Sequence, residues 1–549
     1  MHSYRVAGLV AVTALLAACA ADDADPPAAD TSGGTAAVDS TTGDVATLGA
    51  SEGTAAGSGD STGAEVPGIP ASGGIEIDYI EANQGIGVKI GEDGAWVGPE
   101  GRTAPLAADR LTLVRVFWTV PDDWTPREIE AQITFYLPDD TTVVYSETAM
   151  VEGDSFVGSL AETFNFGLQA EDAHPGTGYA VELFEVDETY ADAAVTEPPR
   201  LPADEESVLV GLESSFQKMK IMLVPFNYNG PDCVTEPDLT ESTMQLYFDK
   251  MFQMNPIDTL ELEIHETLDW NQELTSLSQI NSLLSDLRFK EGAPPEMYYY
   301  GHIDACGGGV AGAAGLAFGI PVDPTMENAY QRVSSGVSFD PELSAETFVH
   351  EVGHSQGRFH IACDGEAGVD PSYPQPGGAI GEWGFGVIDF SVRHPTVTKD
   401  YMTYCTPTWV SNFGWNKVWP TIQTLSSWDP EFPGADASPT TTTPYGDDSL
   451  LLGILLANGE EIWQTVPGRI DPAKLTNDMQ IDFGAGGERV ALQNTFVETL
   501  PDTEDRRVVA PLPVGFAAAD TLARLVDGKR IPIQRAAVSI AHTERTVRR

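Results

Sequence analysis

The sequence predicts a multidomain protein with an N-terminal β-sandwich of immunoglobulin-like kind, a central α/β domain and a small β-rich domain at the C-terminus. Its 549 residues are more than one hydrophobic core usually holds. Apolar and polar residues alternate between residues 74 and 205, whereas strand and helix patterns alternate between residues 213 and 433. The hydrophobic fraction of 42% is high enough to supply each domain with a core.

The first 73 residues are predicted to export and tether the folded domains. Residues 1–18 combine a basic Arg5 with an apolar run too short to span a bilayer, as in a signal peptide. The run ends in Leu-Ala-Ala-Cys, which resembles the lipoprotein box of bacteria and implies a lipid on Cys19. Ordinary secretion is the alternative, because Ala18-Cys19-Ala20 also fits a cleavage site. Residues 19–73 have no aromatic side chain and are predicted to form a disordered tether.

We therefore expect the protein in the bacterial cell envelope, on the outer membrane or the cell surface, or secreted. The membrane is an expected partner through the N-terminal lipid. Nucleic acid is excluded as a partner by charge, because 83 acidic residues against 29 basic ones give a net charge of -54 that repels phosphate. A monomer is expected.

The β-sandwich prediction for residues 74–205 depends on period-two patterning. Apolar side chains occupy alternate positions in residues 75–79, 86–90 and 133–137, and turns rich in Gly, Pro and Asp separate such runs. A spacer and a substrate-binding module are equally consistent with this domain.

The central block, residues 213–433, alternates between strands and helices. Strands are predicted at residues 220–226, 259–265, 297–301, 314–319 and 332–339. Helical spacing of apolar residues predicts one helix after Thr240 and a second around residues 277–287. Asp340 and Pro341 then open a third helix.

Residues 434–444 read as a linker because they are rich in Pro, Thr and small residues. Residues 445–549 are predicted to form the small β-rich domain. Its apolar run at residues 450–456 is too short to be a membrane span. No motif in this domain indicates a function.

Three of the 9 histidines of the chain lie within the eleven residues from His350 to His360. Residues four apart share one face of a helix, so His350 and His354 can direct their imidazoles at one point. Gly357 can end the helix and return the chain, so that His360 supplies a third nitrogen. Three histidines suit Zn²⁺ and leave a fourth position for water, beside which Glu351 can act as the general base.

The pattern H-E-x-x-H-x-x-G-x-x-H, followed by a methionine turn, resembles the signature of the metzincin clan of zinc endopeptidases. Residues 213–433 carry the resemblance, which implies a metzincin-like fold and hydrolysis of protein or peptide substrates. The second element is the segment 400–405, in which Met402 is the candidate turn methionine under the zinc. Tyr404 looks like the tyrosine that in some members reaches the metal or the transition state; the alternative is a structural tyrosine. No cysteine-switch propeptide is evident, so latency stays open.

Two disulfides are expected, because four cysteines follow the tether and none shows the C-x-x-C spacing of a thiolate zinc site. We predict Cys363–Cys405, which joins the segment after the third histidine to the methionine turn, and Cys233–Cys306, which ties the early part of the central domain to the segment before residues 311–319.

Two further sites are predicted. The glycine-rich segment 311–319 resembles the edge strand that pairs with extended substrate in related enzymes, with Gly315, Leu316 and Ala317 at its centre; a packing strand is the alternative. The region between His360 and Met402 contains five acidic residues that could bind Ca²⁺, although no known loop spacing is present. These are Asp364, Glu366, Asp370, Glu382 and Asp389.

The sequence thus favours an exported, lipid-anchored zinc endopeptidase. One alternative is a catalytically inactive homologue that serves as a surface binding or adhesion protein, against which the presence of Glu351 argues. Another is a zinc hydrolase acting on bonds other than peptides, against which the spacing of His360 argues.

Overall fold

Strands dominate the chain, and the four α-helices found in its described part all lie in the central domain. A computed structural model describes residues 68–213, 216–433 and 449–540. The predicted signal peptide, Cys19 and the linker at residues 434–444 lie outside these ranges, as does nearly all of the predicted tether. No helix in the described ranges has the length and apolarity needed to cross a membrane.

The N-terminal domain consists of two antiparallel sheets that share one hydrophobic core. The first sheet contains the strand order β10-β7-β8, and the second contains the strand order β3-β2-β6-β9. Side chains of β7 alternate between buried and less buried positions, as the period-two pattern predicts. The strands are β1 (Ile69–Pro70), β2 (Glu76–Asn83), β3 (Gly87–Glu92), β4 (Ala95–Trp96), β5 (Leu106–Ala107), β6 (Thr112–Thr119), β7 (Arg127–Tyr136), β8 (Thr142–Val151), β9 (Phe164–Leu168), β10 (Gly178–Glu185), β11 (Arg200–Leu201), β12 (Val208–Leu209) and β13 (Leu212–Glu213).

The central domain is built on a mixed sheet with helices on both faces. Its main strands run in the order β14-β18-β20-β19, parallel except for β19, which pairs antiparallel with β20 and lies at the edge. The elements are β14 (Lys218–Asn229), β15 (Val234–Thr235), α1 (Glu241–Met254), β16 (Thr259–Ile264), β17 (Leu268–Trp270), α2 (Leu277–Lys290), β18 (Tyr298–Ile303), β19 (Gly315–Ala317), β20 (Val333–Val337), α3 (Pro341–Ser355), β21 (Gly384–Phe385), β22 (Val392–Arg393), β23 (Lys399–Asp400), β24 (Thr408–Trp409) and α4 (Asn412–Ser426).

Alternate side chains of the central sheet enter two different cores. Ile221 and Leu223 of β14 face α1, α3 and α4, and that core continues into the N-terminal sandwich. Val224 and Phe226 of the same strand belong to the core of α2, which continues into the C-terminal domain. The strands and helices predicted for this domain are all present, because buried strands and amphipathic helices leave strong periodic patterns.

The C-terminal domain is one eight-stranded sheet in the order β31-β30-β27-β28-β29-β25-β26-β32. It confirms the predicted β-rich character. The strands are β25 (Ser449–Leu455), β26 (Glu461–Pro467), β27 (Thr476–Ala485), β28 (Glu488–Thr499), β29 (Arg506–Pro511), β30 (Thr521–Val526), β31 (Lys529–Ile533) and β32 (Val538–Ile540). The short loop between β28 and β29 reaches the histidine cluster described below.

Candidate metal centre

Helix α3 carries the first two histidines, and its two ends are both fixed by local chemistry. At its start, the Asp340 side chain accepts a hydrogen bond from the Leu343 backbone N–H at 3.0 Å, and Pro341 occupies the first turn. At its end, Gly357 has a φ of +92°, which is the left-handed conformation that commonly closes a helix. The Arg358 N–H then bonds to the Gly353 carbonyl at 3.0 Å, and the chain turns back towards the helix.

The three imidazoles converge through their Nε2 atoms. Each Nδ1 faces a backbone carbonyl oxygen: Tyr401 for His350 at 2.8 Å, Arg358 for His354 at 2.7 Å and Ala367 for His360 at 2.7 Å. A carbonyl can only accept, so each Nδ1 carries the proton and each Nε2 presents a lone pair. The Nε2 atoms of His354 and His360 are 3.1 Å apart.

A fourth donor comes from the C-terminal domain. Asp502 lies in the loop between β28 and β29, and its Oδ1 is 3.1 Å from His360 Nε2 while its Oδ2 is 3.7 Å from His354 Nε2. One ligand atom from each of the three histidines and from Asp502 falls within a span of 4.8 Å. These four residues form the only such group among residues 68–213, 216–433 and 449–540.

This arrangement fits a metal ion. Three buried lone pairs and a carboxylate repel one another unless a cation or a shared proton lies between them. The Nε2 of His350 is buried and has no hydrogen-bond partner among the described residues. This is expected of a nitrogen whose lone pair coordinates a metal ion. Three imidazoles and one carboxylate are donors that suit a tetrahedral site.

The electrostatics agree with neutral ligands at two of the three histidines. Burial, with a smaller contribution from His354, lowers the pKa of His350 to about 3, and burial also lowers the pKa of His354. Burial on its own would lower the pKa of His360, but the neighbouring Asp502 carboxylate raises it above its ordinary value. A proton between His360 and Asp502 would therefore occupy the place of the metal.

Glu351 sits beside this cluster, buried at 3% exposure. Burial, and then the charge of Asp502, raise the pKa of its carboxyl group well above the ordinary value. Its Oε2 has no hydrogen-bond partner in the described part of the chain. Gly315 of β19 lies against it so closely that an added Cβ would come within 2.5 Å of Glu351 Oε1. The predicted edge strand and the predicted base therefore adjoin.

Met402 and Tyr404 differ in burial, although they belong to the same turn. Met402 is fully buried under α3, where its sulfur would meet a Cβ on Gly353 at 2.7 Å. Tyr404 is 51% exposed, so its side chain is not part of the buried core. Its hydroxyl lies 3.3 Å from His360 Nε2, so it can reach whatever the histidines bind.

The predicted disulfides are both present. Cys363–Cys405 joins the segment after His360 to the methionine turn, and Cys233–Cys306 lies in the first half of the central domain. Cys405 and Glu351 both line the cleft that is described below, so the disulfide Cys363–Cys405 borders the site.

Of the five acidic residues proposed for Ca²⁺, Glu366 has a clear structural use. Its carboxylate accepts backbone N–H bonds from Cys363 at 2.8 Å and from Tyr404 at 2.9 Å. Asp370, Glu382 and Asp389 pair with other side chains, namely Ser372, Asn412 and Arg393. No group of three or more of these acids forms a cation site within the described ranges.

A cleft of about 390 Å³ opens beside His350. Its lining includes Gly315 of the edge strand, His350, Glu351, Tyr404 and Asp502. Both catalytic candidates and the edge strand therefore face one space of a size that holds a few peptide residues.

Three residues that belong to or support the site were not predicted from the sequence. Asp502 follows His360 by 142 residues, and no motif marks it. Arg358 and Asp400 form a buried ion pair at 3.0 Å, which ties the turn after α3 to the methionine turn. Asp400 also accepts the Met402 backbone N–H at 2.9 Å. Two of these residues could have been suspected from the sequence. Arg358 lies inside the histidine motif, and Asp400 lies beside Met402.

Comparison with known proteins gives little further guidance. No protein-family model and no curated protein matches the chain. Among solved structures, metalloproteinase-II from Bacteroides fragilis is 14% identical over 62% of this chain and 87% of its own, with a TM-score of 0.22. A calcium-binding mutant of β-glucuronidase 2 from Bacteroides uniformis is 11% identical over 43% of this chain and 26% of its own, with a TM-score of 0.14. TM-scores this low do not establish a common fold.

Proposed function

We propose that the protein is an exported zinc endopeptidase, anchored by a lipid on Cys19, that hydrolyses peptide bonds in protein or peptide substrates. The observation that carries the proposal is the convergence of three Nε2 lone pairs beside a buried carboxylate that makes no hydrogen bond to a described residue. A binding protein has no use for that carboxylate. The two disulfides support export, since such bonds persist in oxidising compartments.

The side chains divide the chemistry between them. A zinc ion held by His350, His354 and His360 would lower the pKa of a water molecule and polarise a peptide carbonyl. Glu351 accepts the proton of the attacking water and returns it to the departing amine. The Tyr404 hydroxyl donates a hydrogen bond to the oxyanion that forms on the carbonyl carbon.

The edge strand can position the substrate. Ala314 and Phe318 bond to β20 through their backbones, and an antiparallel ladder alternates. The backbone groups of Gly315 and Ala317 therefore point away from β20. Of these two residues Gly315 lines the cleft, where another extended chain can add. The lack of a side chain on Gly315 keeps that peptide close to Glu351.

The test compares Glu351→Gln with Glu342→Gln, an exposed residue on the first turn of the same helix. Each zinc-loaded protein is incubated with denatured protein substrates, and mass spectrometry maps the new peptide termini. Glu351→Gln should generate none while retaining zinc by elemental analysis, because the base is lost and the ligands are kept. Glu342→Gln should cleave like the wild type, and His354→Ala should lose zinc and cleavage together. Undiminished cleavage by zinc-loaded Glu351→Gln would disprove the mechanism.

A further inference from the structure

Asp502 is the one member of the histidine cluster that does not belong to the central domain. Its backbone has a φ of +61°, a conformation that aspartate tolerates in tight loops. The loop is short because β28 ends at Thr499 and β29 begins at Arg506. Its side chain is only 10% exposed, so the carboxylate is enclosed by the site and is not a surface group that happens to lie nearby.

The loop is held in place by a second aspartate. Asp505 is 1% exposed, and its carboxylate accepts hydrogen bonds from Ser276 Oγ at 2.5 Å and Ser278 Oγ at 2.7 Å. These two serines lie at the N-terminus of α2, where a carboxylate is favoured by the helix dipole. The other oxygen of Asp505 accepts the Ala457 N–H at 2.8 Å.

The base of the hairpin is attached to the edge-strand region. Arg507 is buried, and its guanidinium donates to the Phe318 carbonyl just beyond β19 and to Gln331 Oε1, the latter at 2.9 Å. Leu500 and Val509 enter the hydrophobic core that contains Leu316 of β19. Contacts on both sides of residue 502 thus fix the loop against the central domain.

These contacts place a carboxylate where the reaction needs open space. Three histidines leave one position of a tetrahedral metal for water or substrate, and Asp502 is the fourth donor of the group. We propose that Asp502 is a fourth metal ligand and that the C-terminal domain, through the β28–β29 loop, holds the endopeptidase in a latent form. This inference rests on the proposed function.

The ligand role and the peptidase role predict different observables. With Asp502 bound, the metal has no open position, so a peptide hydroxamate, which binds zinc through two oxygens, is excluded. Without it, the three histidines still hold the metal but an open position appears. Asp502 and Glu351 line the same cleft, so removal of the Asp502 carboxylate would clear space for a scissile peptide beside Glu351.

The experiment uses the full chain loaded with zinc and compares Asp502→Ala and Asp502→Asn with Asp527→Ala. Asp527 is a matched control because it is an exposed aspartate at a positive φ of 50° in another hairpin turn of the same domain. In the wild type, a peptide hydroxamate can bind only in the minor fraction of molecules whose Asp502 has left the metal. A fluorescent peptide hydroxamate should therefore bind both Asp502 variants at least about tenfold more tightly than the wild type. Asp527→Ala should behave like the wild type.

Replacement of zinc by Co²⁺ gives a readout that needs no activity. The visible absorption of the wild type should be that of a closed four-coordinate site, and it should change in Asp502→Ala but not in Asp527→Ala. All variants should retain one metal ion per chain, although a chelator should remove it faster from Asp502→Ala. Asp505→Ala, which leaves every metal ligand in place, should shift hydroxamate binding in the same direction and serves if the Asp502 variants fold poorly.

Cleavage of peptide substrate separates this inference from the proposed function. Asp502→Ala should cleave at least about tenfold faster than the wild type, and the double variant Glu351→Gln/Asp502→Ala should be inactive. Equal hydroxamate affinity and equal cleavage by wild type and Asp502→Ala would overturn latency while leaving the endopeptidase intact. Loss of all metal from Asp502→Ala would also overturn it, since the carboxylate would then be a structural ligand. Tight hydroxamate binding without cleavage by Asp502→Ala would uphold the blocked site and reject the peptidase.

Discussion

At the scale of single residues, the site depends on which nitrogen of each imidazole carries the proton. All three Nδ1 atoms are engaged by backbone carbonyls at 2.7–2.8 Å, and the backbone cannot rotate away as a side chain could. The tautomer is therefore fixed by the course of the chain, not by the metal. A site prepared in this way loses little conformational entropy when it binds its ion.

Tyr404 offers a test at the same scale. Its hydroxyl is 3.3 Å from His360 Nε2, whereas its half-exposed ring contributes little to the core. Tyr404→Phe should therefore lower kcat by on the order of 10²-fold, because an oxyanion donor acts on the transition state more than on the ground state. KM and thermal stability should stay nearly unchanged. Steady-state kinetics in the Asp502→Ala background measures this effect; a normal kcat would show that the hydroxyl takes no part.

The residues that could be predicted from the sequence are those whose partners are close in the chain. His350, Glu351 and His354 share one helix, and Met402 and Tyr404 share one turn, so spacing alone groups them. Asp502 could not be predicted, because its approach depends on how a separate domain docks on α2. A carboxylate that acts through tertiary contact leaves no periodicity and no motif in the sequence.

At the scale of elements, the end of α3 decides where the third histidine goes. Gly357 has a φ of +92°, and a Cβ there would approach the Pro321 carbonyl oxygen to 2.9 Å. Gly292 closes α2 in a similar way, with a φ of +68°, but a Cβ there would meet no atom within 4 Å. The two glycines differ in steric surroundings and share the same conformational requirement.

Alanine substitutions at these two helix ends should therefore separate strain from steric clash. Gly292→Ala should cost about 1 kcal/mol in the free energy of unfolding, from the left-handed backbone alone. Gly357→Ala should cost more, about 2–4 kcal/mol, because the contact with residues 321–322 adds overpacking. Only Gly357→Ala should also weaken zinc binding, since it displaces His360. Calorimetry and zinc titration check both effects, and equal behaviour of the two variants would contradict this account of the turn.

The order of strands and helices in the central domain could be predicted from the sequence, but the ends of its strands could not. Buried strands such as β14 and β18 form continuous apolar runs between polar turns, and α1 and α2 repeat at helical spacing. Strand β14 is nevertheless longer at both ends than the predicted run at residues 220–226, because its additional residues pair with neighbouring strands instead of showing a hydrophobic pattern. Pairing partners depend on the tertiary fold.

At the scale of the whole molecule, the sandwich is a structural partner of the central domain. Arg110, which is fully buried, donates from one NH2 group to the Asn255 carbonyl at 3.1 Å and to the Ile257 carbonyl beyond α1. Its other NH2 group reaches the Phe252 carbonyl at 2.9 Å and the Gln84 carbonyl at 2.8 Å. One guanidinium of the sandwich therefore satisfies the C-terminal carbonyls of a helix in the next domain.

The packing of α1 connects this contact with the sandwich to the candidate metal centre. Tyr247 of α1 stacks on Phe348 of α3 with ring centroids 5.2 Å apart, and α3 carries His350 and His354. Trp409, just after the methionine turn, donates its indole N–H to the Gly85 carbonyl of the sandwich at 2.7 Å. The sandwich thus contacts the central domain on both sides of the candidate site, which a mere spacer before that domain would not do.

Arg110→Ala tests whether the two domains unfold as one cooperative unit. The variant leaves several buried carbonyls without a donor, and each unsatisfied group costs about 1–3 kcal/mol, so the loss should exceed that of any surface substitution. In scanning calorimetry, the sandwich and the central domain of the wild type should melt in a single transition, which should move to lower temperature and split in Arg110→Ala. The matched control is Arg200→Ala, because Arg200 lies in the same domain but pairs with Glu182 near the surface. Its single transition should stay in place. If Arg110→Ala melted in the same single transition as Arg200→Ala, the shared core would couple the domains without Arg110. Two transitions already in the wild type would instead show that the sandwich is an independent module.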